Sequence, residues 1–283
     1  MTDRNVLAPL PDAFREAMTD RNLLAPRPDA FREVMALRPS GAGGRAARGA
    51  GAERYDGVLR FFHAEGRPFP SSPTAFEGRH RMGTILVAAF EPFDGATVNP
   101  ALEAARLLPE RLGGWRVVSL ELPVSFARCP KVIDEALAAE RPEVALCVGQ
   151  ASGRASLSVE RVAINLIDAR IPDNDGAQPH DAPVCEGDAS AYFATVDVKD
   201  MVGAAVSQGV PAELSCTAGT FVCNAAMYEL LSFQAHELPG TLGGFIHVPC
   251  LPEQAAGAPG GPPSMSLDTT AKGLELLVGA AIP

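Results

Sequence analysis

Three residues have the types that nucleophilic hydrolysis needs: Cys223, His247 and Glu160. Cys223 lies in residues 215–233, SCTAGTFVCNAAMYELLSF. There a short apolar run (210–216) gives way to a turn (217–220), and then Phe221, Ala225, Tyr228 and Leu231 recur at helical spacing. The pattern places Cys223 in the first turn of a helix launched from a strand. Unpaired backbone N–H groups and the positive end of the helix dipole favour thiolate there, the form that attacks a carbonyl. By itself, a cysteine at a helix start is more often a small buried apolar residue. A thiol nucleophile also needs a base, and His247, at the end of the apolar strand in GGFIHVPCLPEQ, suits neutral pH. His180 falls in a polar loop and His236 on a helix tail. Glu160, in SVERVAIN, is the best-placed carboxylate to orient an imidazole, against the plainer reading of a surface Glu paired with Arg161.

Other chemistries fit less well. The EPFDG turn (91–95) has neither the Gly-x-Gly spacing nor the Gly-Lys-Ser/Thr of a phosphate loop. Asp168, Asp173, Asp175 and Asp181 cluster around DARIPDNDG with a spacing that is not an EF-hand, and His180 with Cys185 is too sparse for zinc. The six cysteines stand singly with no CxxC, which argues against a disulfide scaffold or a metal knuckle and for a reducing cytoplasm. The net charge of −10 argues against nucleic acid as a partner, and no apolar run reaches the roughly 20 residues of a membrane span.

These residues need a frame. From Thr84 the chain alternates strand and helix patterns. The apolar run Thr84–Phe90 reads as a strand buried on both faces, and Asn99-Pro100 as the cap and first residue of a helix to about Leu108. Strands are expected at 115–122, 144–148, 159–167, 210–216 and 244–248, and helices at 131–140, 196–208 and 267–280, the last capped by Ser266. The alternation predicts a three-layer α/β/α sandwich with a mostly parallel, open, twisted sheet. Sites in such sheets form at the carboxyl ends of strands, where Phe90–Phe93, Gly149–Gln150, Cys223 and His247 would meet.

The first third differs. Residues 1–17 recur as 18–34 with 14 of 17 positions identical, a duplication too short for a repeat array. Residues 1–81 carry a net charge of +3 and 82–283 a net −13. Residues 1–81 therefore read as an N-terminal extension, disordered or translated from a misassigned upstream start, with Met82 just before the first strand of a catalytic domain at 82–283. A basic tail recruiting a partner is the functional alternative.

Four segments, ILVAAFEPFDGATVNP (85–100), CVGQASGRASLSVERVAINLIDARIPDNDGAQP (147–179), TAGTFVCNAAMYELL (217–231) and GGFIHVPCLPEQ (243–254), together resemble the pyroglutamyl peptidase I family of cysteine peptidases, over roughly 200 residues. The resemblance implies hydrolysis of an N-terminal pyroglutamyl residue from peptides through a thioester, with no metal or cofactor. It makes Cys223 the nucleophile, His247 the general base and acid, and Glu160 the orienting carboxylate. It further implies that Phe90 and Phe93 flank the pyrrolidone ring, that Gln150 binds the lactam through its backbone, and that Ile171, Phe221 and Val222 complete the pocket, with Asn99 shaping it. A homodimer or homotetramer is implied as well. Ala88-Ala89 and Asp94 depart from the usual Thr-Gly and Gly, and both are expected near the ring slot. A thiol amidase acting on another lactam or acyl amide, or an inactive relative acting as a binding module, are the competing readings.

Overall fold

In the computed structural model, which describes residues 83–258 and 260–283, the first apolar run forms β1 (Thr84–Phe90). Ile85, Val87 and Ala89 enter one core, and Leu86, Ala88 and Phe90 the other, as period-2 geometry requires of a strand covered on both faces. β1 lies between β3 (Trp115–Leu122) and β4 (Val144–Gln150), both parallel to it, and β4 pairs in parallel with β9 (Leu242–Val248). Next to β9 runs β5 (Leu157–Glu160), antiparallel to it, and then β8 (Ala212–Ser215), parallel to β5. The two-residue β2 (Arg111–Leu112) closes the far edge, giving the order β2-β3-β1-β4-β9-β5-β8.

Helices cover both faces. α1 (Pro100–Arg106), α3 (Val198–Ser207) and α6 (Leu267–Ala280) pack on the Ile85 side, and α2 (Cys129–Glu140) and α4 (Val222–His236) on the Leu86 side. The α/β/α sandwich expected from the alternation is the one that forms. Its starts are chemically marked: Asn99 accepts from Ala101 N ahead of Pro100, Asp197 from Lys199 N and Asp200 N, and Ser266 from Thr269 N. A five-residue helix α5 (Pro252–Ala256) follows β9. The duplication, the extension and its expected disorder fall outside the described residues.

Two expectations need correction. Residues 159–167 are not one strand. The chain turns out of the main sheet at Arg161, whose N–H donates to Ser215 O and whose carbonyl accepts from Ala194 N. The continuation, β6 (Val162–Ile164), pairs instead with β7 (Ala191–Phe193) in a separate two-stranded ribbon. Moreover, β5 and β8 run against β9, so Cys223 is not delivered by the carboxyl end of a strand in the parallel set. The turn after β8 carries the chain back to the end of β4, where a Cβ on Gly149 would lie 3.0 Å from Cys223 Sγ.

Helix α6 meets the sheet at Gly273, where a Cβ would overlap Leu157 Cδ1 and lie 2.8 Å from Val210 Cγ1. Both neighbours are fully or nearly fully buried. Gly→Ala ordinarily favours a helix, but overpacking should reverse the sign here. Gly273→Ala is expected to lower unfolding free energy by about 1–3 kcal/mol in urea titrations; an unchanged or raised midpoint would show that the contact relaxes freely.

Candidate active site

The antiparallel pairing of β5 with β9 places Glu160 opposite Phe245 and Ser158 opposite His247. Glu160 and His247 are therefore diagonal neighbours on the face that α4 covers, within reach of long side chains. Glu160 Oε1 lies 2.8 Å from His247 Nδ1, and both side chains are buried. The ring of Phe245 packs on His247 at a centroid distance of 4.6 Å. Burial pushes the Glu160 carboxyl up, but the hydrogen bond and charge of His247, the Ser215 hydroxyl and Arg154 outweigh it, and the group is held below the ordinary carboxylate range. An ionised carboxylate makes Nδ1 the donor and leaves Nε2 free to accept a proton.

Cys223 is the second residue of α4, and it shares one cleft with His247, Gln150 and Ile171. Asn224 anchors this helix start. Its side chain donates to Ile164 O at 2.8 Å and Leu166 O at 3.0 Å and accepts from Ile164 N at 3.0 Å. The backbone N–H groups of the first turn have no intrahelical acceptor and are available to an oxyanion. The expected resting thiolate is not what the surroundings favour. Burial, then the Glu160 charge, push the thiol up to about 12; Arg154 and the Cys223 N–H pull it down by less. His247 is lowered from its usual value by burial, which outweighs the Glu160 carboxylate. Both directions favour thiol and neutral imidazole over the ion pair.

A narrow slot opens beside the thiol, lined by Phe90, Phe93, Asn99, Val124, Gln150, Phe221, Val222 and Cys223. Phe93 and Phe221 stand 6.4 Å apart by ring centroids, and Phe126 buttresses Phe221 edge-on at 5.4 Å. Asn99 is buried, its Oδ1 accepting from Ala101 N and its Nδ2 donating to Glu91 O at 3.0 Å, so it shapes the wall while capping α1. Of the expected pocket residues, Ile171 alone is not in the slot; it lines the open cleft outside. Ala88 and Ala89 are buried one on each face of β1 and do not line the slot. Asp94 (φ 53) and Gly95 (φ 73) are the centre of a turn closed by Ala96 N donating to Phe93 O. Asp-Gly suits such a type I′ geometry, which explains how Asp is accommodated.

Three contributors escaped sequence reasoning. Arg154, not Arg161, pairs with Glu160, at 2.7 Å. Gln254 accepts from Leu251 N and Gln150 Nε2 and donates to Val98 O, tying the slot's rim together. Phe126 is the buttress. Arg154 and Gln254 lie in the segments quoted above, yet nothing in their spacing marks them, because each also reaches a partner far along the chain, Thr217 for Arg154 and Gln150 and Val98 for Gln254. The aspartates of DARIPDNDG do not converge. Asp173 accepts from the N–H groups of Phe126, Asp175 and Ala177, Asp175 pairs with Arg128, and Asp168 with His180. Among the described residues no group of three or more His, Cys, Asp or Glu is arranged to hold a metal ion, and no helix is long and apolar enough to cross a membrane.

Comparison with known proteins gives one answer. The family model described as Pyroglutamyl peptidase matches residues 83–283. A pyrrolidone-carboxylate peptidase of Streptococcus suis is 45% identical over 198 residues, 70% of this chain and 92% of the relative. Another, of Staphylococcus haemolyticus, is 50% identical over 196 residues, 69% and 92% of the two chains. The crystal structure of pyroglutamyl peptidase I from Bacillus amyloliquefaciens superposes with a TM-score of 0.67 at 40% identity, covering 70% of this chain and 96% of the other. The pyrrolidone carboxyl peptidase of Thermococcus litoralis gives 0.69 at 36%, covering 71% and 94%.

The titration directions make a testable pattern. A neutral His247 with a lowered pKa predicts that kcat/KM rises through a midpoint below 6.5 and is flat across neutrality. A thiol near 12 predicts that alkylation of Cys223 by iodoacetamide, followed by peptide mass spectrometry, accelerates with pH through 9. Alkylation that is constant from pH 6 to 9 would instead mark a resting thiolate.

Proposed function

This chain belongs to the pyroglutamyl peptidase family, and we propose that Cys223, His247 and Glu160 are the groups that perform its reaction. The activity is that of a cysteine peptidase, removing an N-terminal pyroglutamyl residue from a peptide. The observation that carries the assignment is the buried Glu160–His247 pair at 2.8 Å, in one cleft with a cysteine that also borders the aromatic slot.

In the proposed sequence, the pyrrolidone ring is flanked by Phe90 and Phe93, with Phe221 and Val222 completing the pocket and the Gln150 backbone bonding the lactam. A flat neutral ring gains from apolar burial there, whereas the hydrated ammonium of an ordinary N-terminus would lose its water without a carboxylate to replace it. As Cys223 Sγ attacks the scissile carbonyl, its proton passes to His247 Nε2. The oxyanion meets the N–H groups at the start of α4. The imidazolium then gives its proton to the departing amine as the C–N bond breaks, leaving a thioester. Water, deprotonated by His247, releases pyroglutamate and the thiol is restored. Glu160 stays ionised throughout and fixes the ring through Nδ1.

The finer setting is also a proposal. All six cysteines are free, with Cys185 and Cys216 exposed, which supports a reducing cytoplasm. Self-association as a homodimer or homotetramer, carried by the family resemblance, is read out by light scattering.

The deciding assay is release of a fluorescent amine from a pyroglutamyl amide by the full chain. Cys223→Ala and His247→Gln are each expected to lower kcat by about 10⁴-fold. A Cys223→Ala protein that keeps more than a tenth of the rate would refute the nucleophile. An intact, alkylatable enzyme that ignores this amide yet cleaves another lactam or acyl amide would refute the substrate assignment and leave the thiol chemistry standing.

A further inference from the structure

We propose that Arg154 is a positioning residue of this site, clamping Glu160 against His247 and tying that carboxylate to the turn that launches the nucleophile's helix. The inference rests on the peptidase reading above. Arg154 comes from the loop between β4 and β5, where its own N–H donates to Ala151 O. Its guanidinium is forked between two elements. Nη1 lies 2.7 Å from Glu160 Oε1, and Nη2 donates to Thr217 O at 3.0 Å. The oxygen that Nη1 meets is the one His247 Nδ1 meets at 2.8 Å, while Glu160 Oε2 is buried with no hydrogen-bond partner. Both of the carboxylate's ion-pair contacts therefore converge on one atom.

The Thr217 carbonyl belongs to a braced turn. Ser215 Oγ donates to that same carbonyl, Gly219 N donates to Thr217 Oγ1, and Thr220 Oγ1 donates to Asp168 O. Three residues after this turn comes Cys223. One planar side chain thus spans from the base's partner to the nucleophile's mount, a two-ended contact that a single ammonium cannot reproduce.

Charge reinforces geometry. The groups facing the clamp are Glu160 from β5, His247 from β9, Cys223 from α4 and the Ser215 hydroxyl from β8, with Arg170 lining the same cleft. With Arg154 the four ionisable groups sum to zero before and after the proton moves from sulfur to imidazole. Without it, the buried carboxylate would face the thiol with no guanidinium in contact with it, so His247 would hold its proton more tightly and Cys223 would give its own up less readily.

Arg154→Met and Arg154→Lys in the full chain test this, with melting temperatures to monitor folding. For Arg154→Met, kcat on the pyroglutamyl amide should fall about 10- to 100-fold with KM within threefold, because the loss is in alignment rather than in the ring slot. The acid limb of kcat/KM should move to higher pH, and alkylation of Cys223 at pH 8 should slow. Arg154→Lys should return the limb towards its wild-type position while leaving most of the kcat deficit, since it restores charge but not the fork. A folded Arg154→Met protein with wild-type kcat, or with an unmoved limb, overturns the proposal. If Arg154→Met does not fold, Arg154→Lys decides alone: wild-type kcat overturns it, and a tenfold loss at a native melting temperature supports it. Alkylation needs no substrate. Should the wild type fail on the amide while alkylation still slows in Arg154→Met, the peptidase reading falls and the positioning role stands.

Discussion

Everything at this site depends on keeping one carboxylate ionised inside the protein. Glu160 has no exposed side-chain surface, and taking a bare charge out of water costs more than any single hydrogen bond returns. The fold meets that cost with geometry. Reversing β5 against β9 places Glu160 and His247 on one sheet face at diagonal register, and the β4–β5 loop brings Arg154 to the same oxygen. Had β5 followed β9's direction, the register and the loop would both differ, and the imidazole would lose its anchor. The parallel run from β3 through β1 and β4 to β9 ends at its antiparallel junction with β5, and that junction is where the carboxylate meets the imidazole.

Recognition and chemistry are divided between layers. The slot is made by the end of β1, the turn after it, the start of α4 and the loop that carries Val124, so its walls are fixed by the sheet and by helix caps. Asn99 illustrates the economy: the residue that satisfies the first turn of α1 also forms part of the slot wall. The polar groups that remain are at the rim, in the Gln150–Gln254 pair. A pocket that is apolar in depth and amide-like at its mouth selects for a neutral ring bearing an amide, independently of the chemistry that follows.

Legibility from sequence tracked how local the physics was. β1, α1 and α6 were readable because their signals sit within the element: a continuous apolar run, Asn-Pro at a helix start, a serine cap. The proposed site residues could be named because their types suit hydrolysis and because Cys223 and His247 stood at element ends. Strand direction was not readable, since β5 and β8 are four residues each and orientation is decided by pairing rather than by composition. The break at Arg161 was hidden for the same reason, in a run whose apolar content continues across two sheets. Arg154 was invisible because its acceptors, Glu160 and Thr217, become neighbours only once β5, β8 and the turn are assembled; sequence proximity had pointed to Arg161 instead.

The thiol shows where a local rule yields to a global one. A helix N-terminus does favour thiolate, and Cys223's own N–H pulls in that direction, but desolvation is the larger effect and the Glu160 carboxylate adds to it. The environment that orients His247 therefore also favours the proton on sulfur. This is no handicap for catalysis. A resting ion pair would be solvated and stabilised in the ground state, whereas a neutral pair separates charge only as sulfur meets the carbonyl, when the negative charge moves on to an oxygen that the α4 N–H groups can hold. In the proposed reaction the helix dipole then serves the oxyanion rather than the free thiolate.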